Sequence, residues 1–324
     1  MKEVLKVNNK QNNIKSLSPL IKYSGGKSRE LSQYYRYIPT MQRYFEPFLG
    51  GGATFFKLAP QDSYIADINK PLIQFYKSFR DEYPRVRKEL DSLHLKYVQN
   101  HNIFEARKSA HPDNHAENPN ERLYYSIRDM FNGLKPSPYA YGTLYFFINK
   151  LAYSGMIRYN RAGEFNVPYG WYANFNTKLA TTAHQKLLSK SEIVNESYEH
   201  SFDLAGPNDF IFLDPPYDTT FSDYGNEVFT GDFNEDSHRK LASDFKNLNA
   251  PALMIIGNTP LVSDLYQKYI QGSYKKSYSV NIRNRFKSSA EHLIIANYKI
   301  NKIYRGGGGI KWQSVKKNLL SFPK

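Results

Sequence analysis

Four consecutive residues, Asp214-Pro215-Pro216-Tyr217, follow the apolar run Phe210-Ile211-Phe212-Leu213 and combine the groups needed to hold a planar amine. The run has the length and the β-branched and aromatic content of a buried parallel strand. That places the tetrapeptide at the carboxyl edge of a sheet, where open α/β folds bind their ligands. Two successive prolines carry no N–H and have restricted φ. The sequence therefore predicts a backbone held off the sheet, with the Asp214 carboxylate and the Pro215 carbonyl free of internal partners. Both would accept hydrogen bonds from a group with two amine hydrogens, and Tyr217 offers a ring face for stacking. An exocyclic amine on a nucleobase meets that description. Taken alone, the tetrapeptide also reads as a plain turn that ends a strand with a solvated Asp.

A second set of candidate residues lies near the amino terminus. Gly26-Lys27-Ser28 has the ending of a phosphate loop, but the first glycine of such a loop would fall at Ile21, which excludes it. A Gly-Gly turn followed by Lys27 can still aim an ammonium and backbone N–H groups at a carboxylate. Arg43 to Phe56 reads as a short strand, the three glycines Gly50, Gly51 and Gly52, and the start of an amphipathic helix. Glycines at such a junction let a ligand approach the backbone closely. The next strand, Ser63 to Ile68, carries Asp67 roughly 20 residues after the glycines, the spacing at which Rossmann-like folds bond ribose hydroxyls. This pairing argues for an adenosine-containing cofactor.

The remaining elements must bring these two sets together. Pro71 to Ala110 has a helical, charge-laced pattern, 111–121 is a polar loop, and Glu121 to Leu134 is helical again. His111 and His115 have no third ligand at metal-binding spacing, so no metal is expected. Thr143 to Tyr172 is rich in aromatic, Gly and Arg residues without clean periodicity and reads as irregular loops, where nucleic-acid readers carry base contacts. The sheet resumes at Ile193-Val194, with Tyr198 beside the cleft. After the strand that ends at Asp214 come a lid-length loop over Asp218 to Phe233, a helix from Glu235 to Leu248 and a strand over Ala252 to Ile256. Two last strands, Ser277 to Ile282 and His292 to Lys299, flank the basic connection Arg283-Asn284-Arg285-Phe286-Lys287. Gly306 to Gly309 form a linker to a basic tail.

Composition narrows the partner. Lys and Arg number 44 against 30 acidic residues, a formal charge of +14, and they are interleaved with 27 Tyr and 21 Phe in a chain of 324 residues. Positive charge mixed with rings points to a polyanion whose bases can be stacked. The absence of Cys excludes disulfides and thiolate metal sites and agrees with a reducing cytoplasm. The polar amino terminus supports neither a signal peptide nor a membrane span.

Taken together, these segments resemble the DNA adenine methyltransferases of the Dam group, with motifs in the alpha order: cofactor motifs, then a target-recognition insert, then the catalytic tetrapeptide. The resemblance covers most of residues 19 to 300. Lys22-Tyr23-Ser24-Gly25-Gly26-Lys27 is similar to the family's amino-terminal cofactor motif, with Tyr23 where the family often has Trp. Phe45-Glu46-Pro47-Phe48-Leu49-Gly50-Gly51-Gly52 is similar to its glycine motif, and Asp67 falls where the family binds the cofactor ribose. The resemblance implies an S-adenosyl-L-methionine site formed by Tyr23, Lys27, Glu46, Phe48, Gly50, Gly51, Gly52, Asp67 and Asp214. Lys27 is directed to the cofactor's methionyl carboxylate. Arg158-Tyr159-Asn160 and Gly163 to Gly170 resemble the family's recognition hairpin. The DNA contacts implied are Lys22, Arg158, Asn160, Pro168 and Trp171, joined by Arg283, Arg285 and Lys287. Trp171 departs from the family's frequent Arg.

The fold implied is a Rossmann-like α/β methyltransferase with a seven-stranded, mostly parallel sheet, helices on both faces and one antiparallel strand. Residues 17–76 and 181–302 would form the catalytic domain, 77–180 an inserted, largely helical target-recognition domain, and 303–324 a flexible basic tail. The activity implied is methyl transfer to adenine N6 in double-stranded DNA, in the cytoplasm at the nucleoid. A cognate restriction endonuclease would share the site without implied contact. The target base must leave the duplex, with Tyr217 stacking on it and Tyr198 as the other wall. An RNA methyltransferase, a protein-glutamine methyltransferase and a catalytically silent DNA-binding protein of the same fold are the alternatives. The glutamine pattern has Asn at the first position of the tetrapeptide, where this chain has Asp214.

Overall fold

A computed structural model describes residues 16–110, 116–217, 233–276 and 290–300. Residues 218–232 of the expected lid, the strand over Ser277 to Ile282, the connection with Arg283, Arg285 and Lys287, and the basic tail lie outside them.

Seven strands form one sheet: β1 (Tyr44–Glu46), β2 (Ser63–Ala66), β3 (Ser191–Val194), β4 (Phe210–Leu213), β5 (Ala252–Gly257), β6 (Ile270–Lys276) and β7 (Ala290–Ala296). Their order is β3-β2-β1-β4-β5-β7-β6. β1 to β5 pair in parallel, and β7 runs antiparallel to both neighbours, as expected. Successive residues of a strand point to opposite faces. Phe210 and Phe212 of β4 accordingly enter one core, with Tyr44, Ile65, Leu253 and Ile255. Ile211 and Leu213 enter the other, with Phe45, Tyr64, Met254 and Ile256. Both faces are covered, so the β4 sequence is a continuous apolar run without alternation.

α1 (Leu31–Tyr34) precedes β1, α2 (Ala53–Leu58) follows the glycines, and α3 (Lys70–Asp81) follows β2. Asn69 caps α3 by accepting from the Leu72 N–H at 3.1 Å. The helix expected over 71–110 is two helices, α3 and α4 (Tyr83–Ala110). Pro84 lacks an N–H and can only occupy a first turn, which forces the restart at Tyr83.

Between α3 and β3 the chain leaves the sheet for α4, α5 (Pro119–Phe131), α6 (Tyr141–Leu151), a hairpin and α7 (Thr182–Leu188). The expected insertion point at residue 77 falls inside α3, and Phe75, Phe79, Tyr97, Tyr145 and Phe146 share one core with the sheet residues. α6 corrects the expectation of irregular structure from Thr143 onward. Nine of its eleven residues are buried, so no polar face marks it as a helix in the sequence. The hairpin after it is closed by the antiparallel bridges Ala152–Tyr169 and Tyr159–Phe165. α8 (Tyr198–Leu204), α9 (Glu235–Asn247) and α10 (Pro260–Leu265) complete the described helices. The sixth strand begins at Ile270, ahead of the expected Ser277. No helix among the described residues is long and apolar enough to cross a membrane.

Candidate active site

β1 and β4 are neighbours, paired Tyr44 to Phe210 and Phe45 to Ile211, at the place where the strand order reverses. The glycine loop after β1 and the Asp-Pro-Pro-Tyr turn after β4 therefore open on one crevice, where doubly wound sheets bind their ligands.

On the cofactor side, Asp67 organises the glycine loop. Its Oδ2 accepts from the Gly50 N–H and its Oδ1 from the Asn69 N–H, each at 2.9 Å. The Tyr76 hydroxyl donates to the Gly50 carbonyl at 3.0 Å. Gly50 has φ 48°, and a Cβ there would lie 3.0 Å from the Tyr23 ring, so only glycine lets loop and ring pack. Burial pushes Asp67 up to about 6, against the two backbone hydrogen bonds. Burial also pushes Glu46 up to about 8, with the Tyr44 hydroxyl opposing the rise and Asp214 adding to it. Tyr44 donates to Glu46 at 2.7 Å. The half-buried Phe48 stacks on Tyr198 at 5.7 Å and meets Phe233 edge-on at 6.0 Å. The carboxyl groups beside the glycine loop thus titrate well above their ordinary range, and Glu46 is neutral near pH 7.

On the catalytic side, the expectation that Asp214 lacks an internal partner is overturned. The Lys27 ammonium donates to Asp214 Oδ1 at 2.5 Å, to the Tyr217 hydroxyl at 2.5 Å and to the Gly25 carbonyl at 3.3 Å. Lys27 is 2% exposed, and its three donors are all engaged. In this structure it ties the Asp-Pro-Pro-Tyr turn to the amino-terminal Gly-Gly-Lys segment. Burial raises the Asp214 pKa and the Lys27 charge opposes the rise. Pro215 is buried, Pro216 is exposed and Tyr217 is half-buried.

Tyr198 also departs from its expected place. Its hydroxyl donates to Asp244 at 2.7 Å, and its ring, 6% exposed, is packed between Phe48 and Phe202. Burial among aromatic neighbours makes it a packing residue behind Phe48.

A family model described as D12 class N6 adenine-specific DNA methyltransferase matches residues 23–282, the span that contains both sides of this crevice. The chain belongs to that family. A Type II methyltransferase, M.CviBI, of Paramecium bursaria Chlorella virus NC1A is 31% identical over 291 residues, 87% of this chain and 100% of the relative. The Type II methyltransferase M.MjaIII of Methanocaldococcus jannaschii is 28% identical over 307 residues, covering 87% and 99% of the two chains. A DNA adenine methylase of Escherichia coli is 28% identical over 258 residues, covering 76% and 84%.

In this D12-class methyltransferase the helical insertion reaches back to the amino-terminal motif. The Asn149 side chain of α6 accepts from the Lys22 N–H at 2.9 Å and donates to the Lys22 carbonyl at 2.8 Å. The Lys22 ammonium donates to the Lys150 carbonyl at 3.2 Å and lies 4.1 Å from the centre of the Tyr172 ring. A Cβ on Gly155 would meet the Lys22 chain at 2.5 Å, so that glycine admits the lysine. Burial, with the neighbouring Lys22 charge, lowers Lys150 to about 8.

The hairpin holds the other expected DNA residues. Arg158 donates through Nε to Asn166 Oδ1 at 2.8 Å and through Nη2 to the Asn166 carbonyl at 3.3 Å, which fixes the guanidinium plane. Asn160 builds the turn instead of projecting from it. Its Oδ1 accepts from Ala162 and Glu164, and its amide donates to Glu164. Pro168 is exposed, and its carbonyl accepts from the Tyr153 N–H at 2.9 Å. Trp171 is 51% exposed and has φ 56°, a left-handed conformation unusual for a bulky residue. Sequence reading missed Asn149 and Asn166. For Asn149 the available signal was its place directly after the apolar run Phe146-Phe147-Ile148, since a buried amide needs partners.

Proposed function

We propose that this enzyme transfers a methyl group from S-adenosyl-L-methionine to N6 of an adenine turned out of double-stranded DNA, with Asp214, Pro215 and Tyr217 as the groups that hold the base. The observation that carries the reading is the Lys27–Asp214–Tyr217 triangle at the edge of β4, directly across from the glycine loop of β1. The residues present fit the cofactor. A Cβ on Gly50 would meet the Tyr23 ring at 3.0 Å, so the loop held between Tyr23 and Asp67 is a cradle that only glycine permits. Tyr23, Glu46, Phe48, Gly50, Gly51, Gly52 and Asp67 would hold it. When bound, S-adenosyl-L-methionine supplies a methyl group already activated by its sulfonium.

The protein's own task is placement. The adenine amine is a weak nucleophile because its lone pair is delocalised into the ring. Hydrogen bonds from its two N–H groups to the Asp214 carboxylate and the Pro215 carbonyl favour a pyramidal nitrogen and stabilise the positive charge that develops on it. The Lys27 charge opposes the rise that burial gives the Asp214 pKa, and its ammonium occupies one of the carboxylate oxygens. A target amine must displace that ammonium or take the second oxygen. Tyr217 supplies the ring against which the base stacks.

Residues 77–180 serve as the target-recognition domain, with Lys22, Arg158, Pro168 and Trp171 on the DNA side. The names of the viral and archaeal relatives support a place in a restriction-modification pair with a cognate endonuclease. A DNA substrate puts the working enzyme at the nucleoid, in the cytoplasm. Sequencing DNA from cells expressing the protein, with detection of N6-methyladenine, identifies the recognition site. On that site Asp214→Ala abolishes methyl transfer and leaves DNA affinity within about threefold. Wild-type transfer by that variant would remove Asp214 from the mechanism.

A further inference from the structure

A second buried polar cluster lies behind the catalytic turn. Glu30, on the turn that follows Lys27, is 5% exposed and is faced by three polar groups of β6 and β7. Tyr274 Oη donates to its Oε2 at 2.7 Å, His292 Nδ1 lies 2.7 Å from the same oxygen, and Lys276 Nζ lies 2.9 Å from Oε1. Burial alone would raise this carboxyl. The bonds from His292, Tyr274 and Lys276, with the Lys27 charge, hold it at about 2. Glu30 is therefore ionised near neutral pH, with the Lys276 ammonium beside it.

His292 is the link from this charge to the catalytic turn. It is fully buried, with 0% exposure, and its Nε2 has no hydrogen-bond partner among the described residues. The strand register sets it opposite Gly257 of β5 on one side and Tyr274 of β6 on the other. Gly257 contributes no side chain: a Cβ there would already lie 3.7 Å from the Tyr217 ring. The ring of Tyr217 lies beside Gly257 and meets the His292 ring edge-to-face, with centroids 5.2 Å apart at 78°. That is a favoured geometry for an aromatic pair. Glu30 is tied to the other side of the site as well, since its N–H donates to the Lys27 carbonyl at 2.8 Å. Glu30 thus joins the turn that carries Lys27 through its backbone and the imidazole that supports Tyr217 through its carboxylate.

We propose that His292, oriented by Glu30, is a positioning residue that sets the plane of the Tyr217 ring and through it the placement of the target amine. This rests on the reading of Tyr217 as the ring on which the flipped adenine stacks. A stacking wall is useful only if its tilt is fixed, because a small misplacement of the reacting nitrogen costs rate without costing affinity. Strand pairing fixes the His292 backbone and the Glu30 bond fixes the plane of its imidazole.

The test uses the full-length protein and S-adenosyl-L-methionine, with adenine-bearing duplexes of the recognition site for the rate and matched duplexes with 2-aminopurine at the target position for fluorescence. His292→Asn keeps an N–H donor to Glu30 and removes the ring edge. The expected result is a single-turnover rate lowered about tenfold at saturating DNA and cofactor, both affinities within about twofold, and an altered 2-aminopurine signal. His292→Phe returns the ring edge and is expected to recover the fluorescence response and part of the rate. Wild-type rate and fluorescence in folded His292→Asn would overturn the proposal, as would loss of both affinities with an unchanged rate for the bound complex. If His292→Asn does not fold, Glu30→Gln retains an acceptor and removes the charge. A rate drop of about threefold or more in that variant supports the proposal and a wild-type rate overturns it. Wild-type protein that methylates adenine with an undisturbed 2-aminopurine signal would instead defeat the stacking role of Tyr217 on which the proposal rests.

Discussion

The Asn149 side-chain amide pairs in both directions with the backbone of Lys22, accepting at 2.9 Å and donating at 2.8 Å. A single residue of the helical insertion thereby completes the hydrogen bonding of a segment that leads into the cofactor motif, at a point where no strand is available to do so. The two halves of the enzyme are joined at the lysine proposed to read DNA.

Asn149→Ala leaves the Lys22 N–H and carbonyl without these partners. The expected cost is about 1–3 kcal/mol of stability, read from urea unfolding. Discrimination at the base pair contacted by Lys22 should fall with it. Unchanged stability would mean that water replaces the amide at no cost.

Asp67 holds the glycine loop through both carboxylate oxygens. Asp67→Asn keeps an acceptor but introduces an N–H₂ facing a backbone N–H. It should weaken S-adenosyl-L-methionine binding by about 1–3 kcal/mol, measured calorimetrically, with a smaller effect on DNA affinity. An unchanged cofactor dissociation constant would remove Asp67 from the binding site.

Glu46 makes stability depend on pH with a defined sign. Its carboxyl is raised from 4.5 to about 8 in the folded chain, mainly by burial. The folded state then holds a proton that the unfolded state releases, so this contribution is complete below the unfolded value and is lost as pH rises toward 8. Denaturation midpoints should fall between pH ~5 and pH ~8.5. Glu46→Gln should flatten that fall by something on the order of 2–4 kcal/mol. A parallel pH dependence in both proteins would place the titration elsewhere.

Arg158 and Asn166 form one unit. Asn166 occupies the Nε edge of the guanidinium, leaving the far edge for a planar pair of acceptors such as those of guanine. Arg158→Ala should lose about 1–3 kcal/mol of discrimination at one base pair. Asn166→Ala should weaken discrimination at the same pair, and the double variant should show less than the sum. Methylation rates on substrates changed one base pair at a time decide this. A uniform drop on every substrate would identify a phosphate contact instead.

The sequence alone determined the elements whose signal is local. The apolar run ending in Asp214-Pro215-Pro216-Tyr217 declared a strand buried on both faces and a turn that cannot rejoin the sheet, because proline chemistry and strand period act over a few residues. The glycine loop and Asp67 were legible for the same reason, whereas the short hairpin over Tyr159 and Phe165 came only from the family resemblance. α6 was not, since a helix buried nearly all round has no polar face to create a period. The pairings that organise the site were decided only in three dimensions. Lys27 meets Asp214 across 187 residues, and Asn149 meets Lys22 across 127. Glu30 meets His292 only because β7 is laid between β5 and β6. Such contacts leave no local mark, because a side chain's partner is set by which strand edges the sheet order brings together, and not by the residues beside it in the chain.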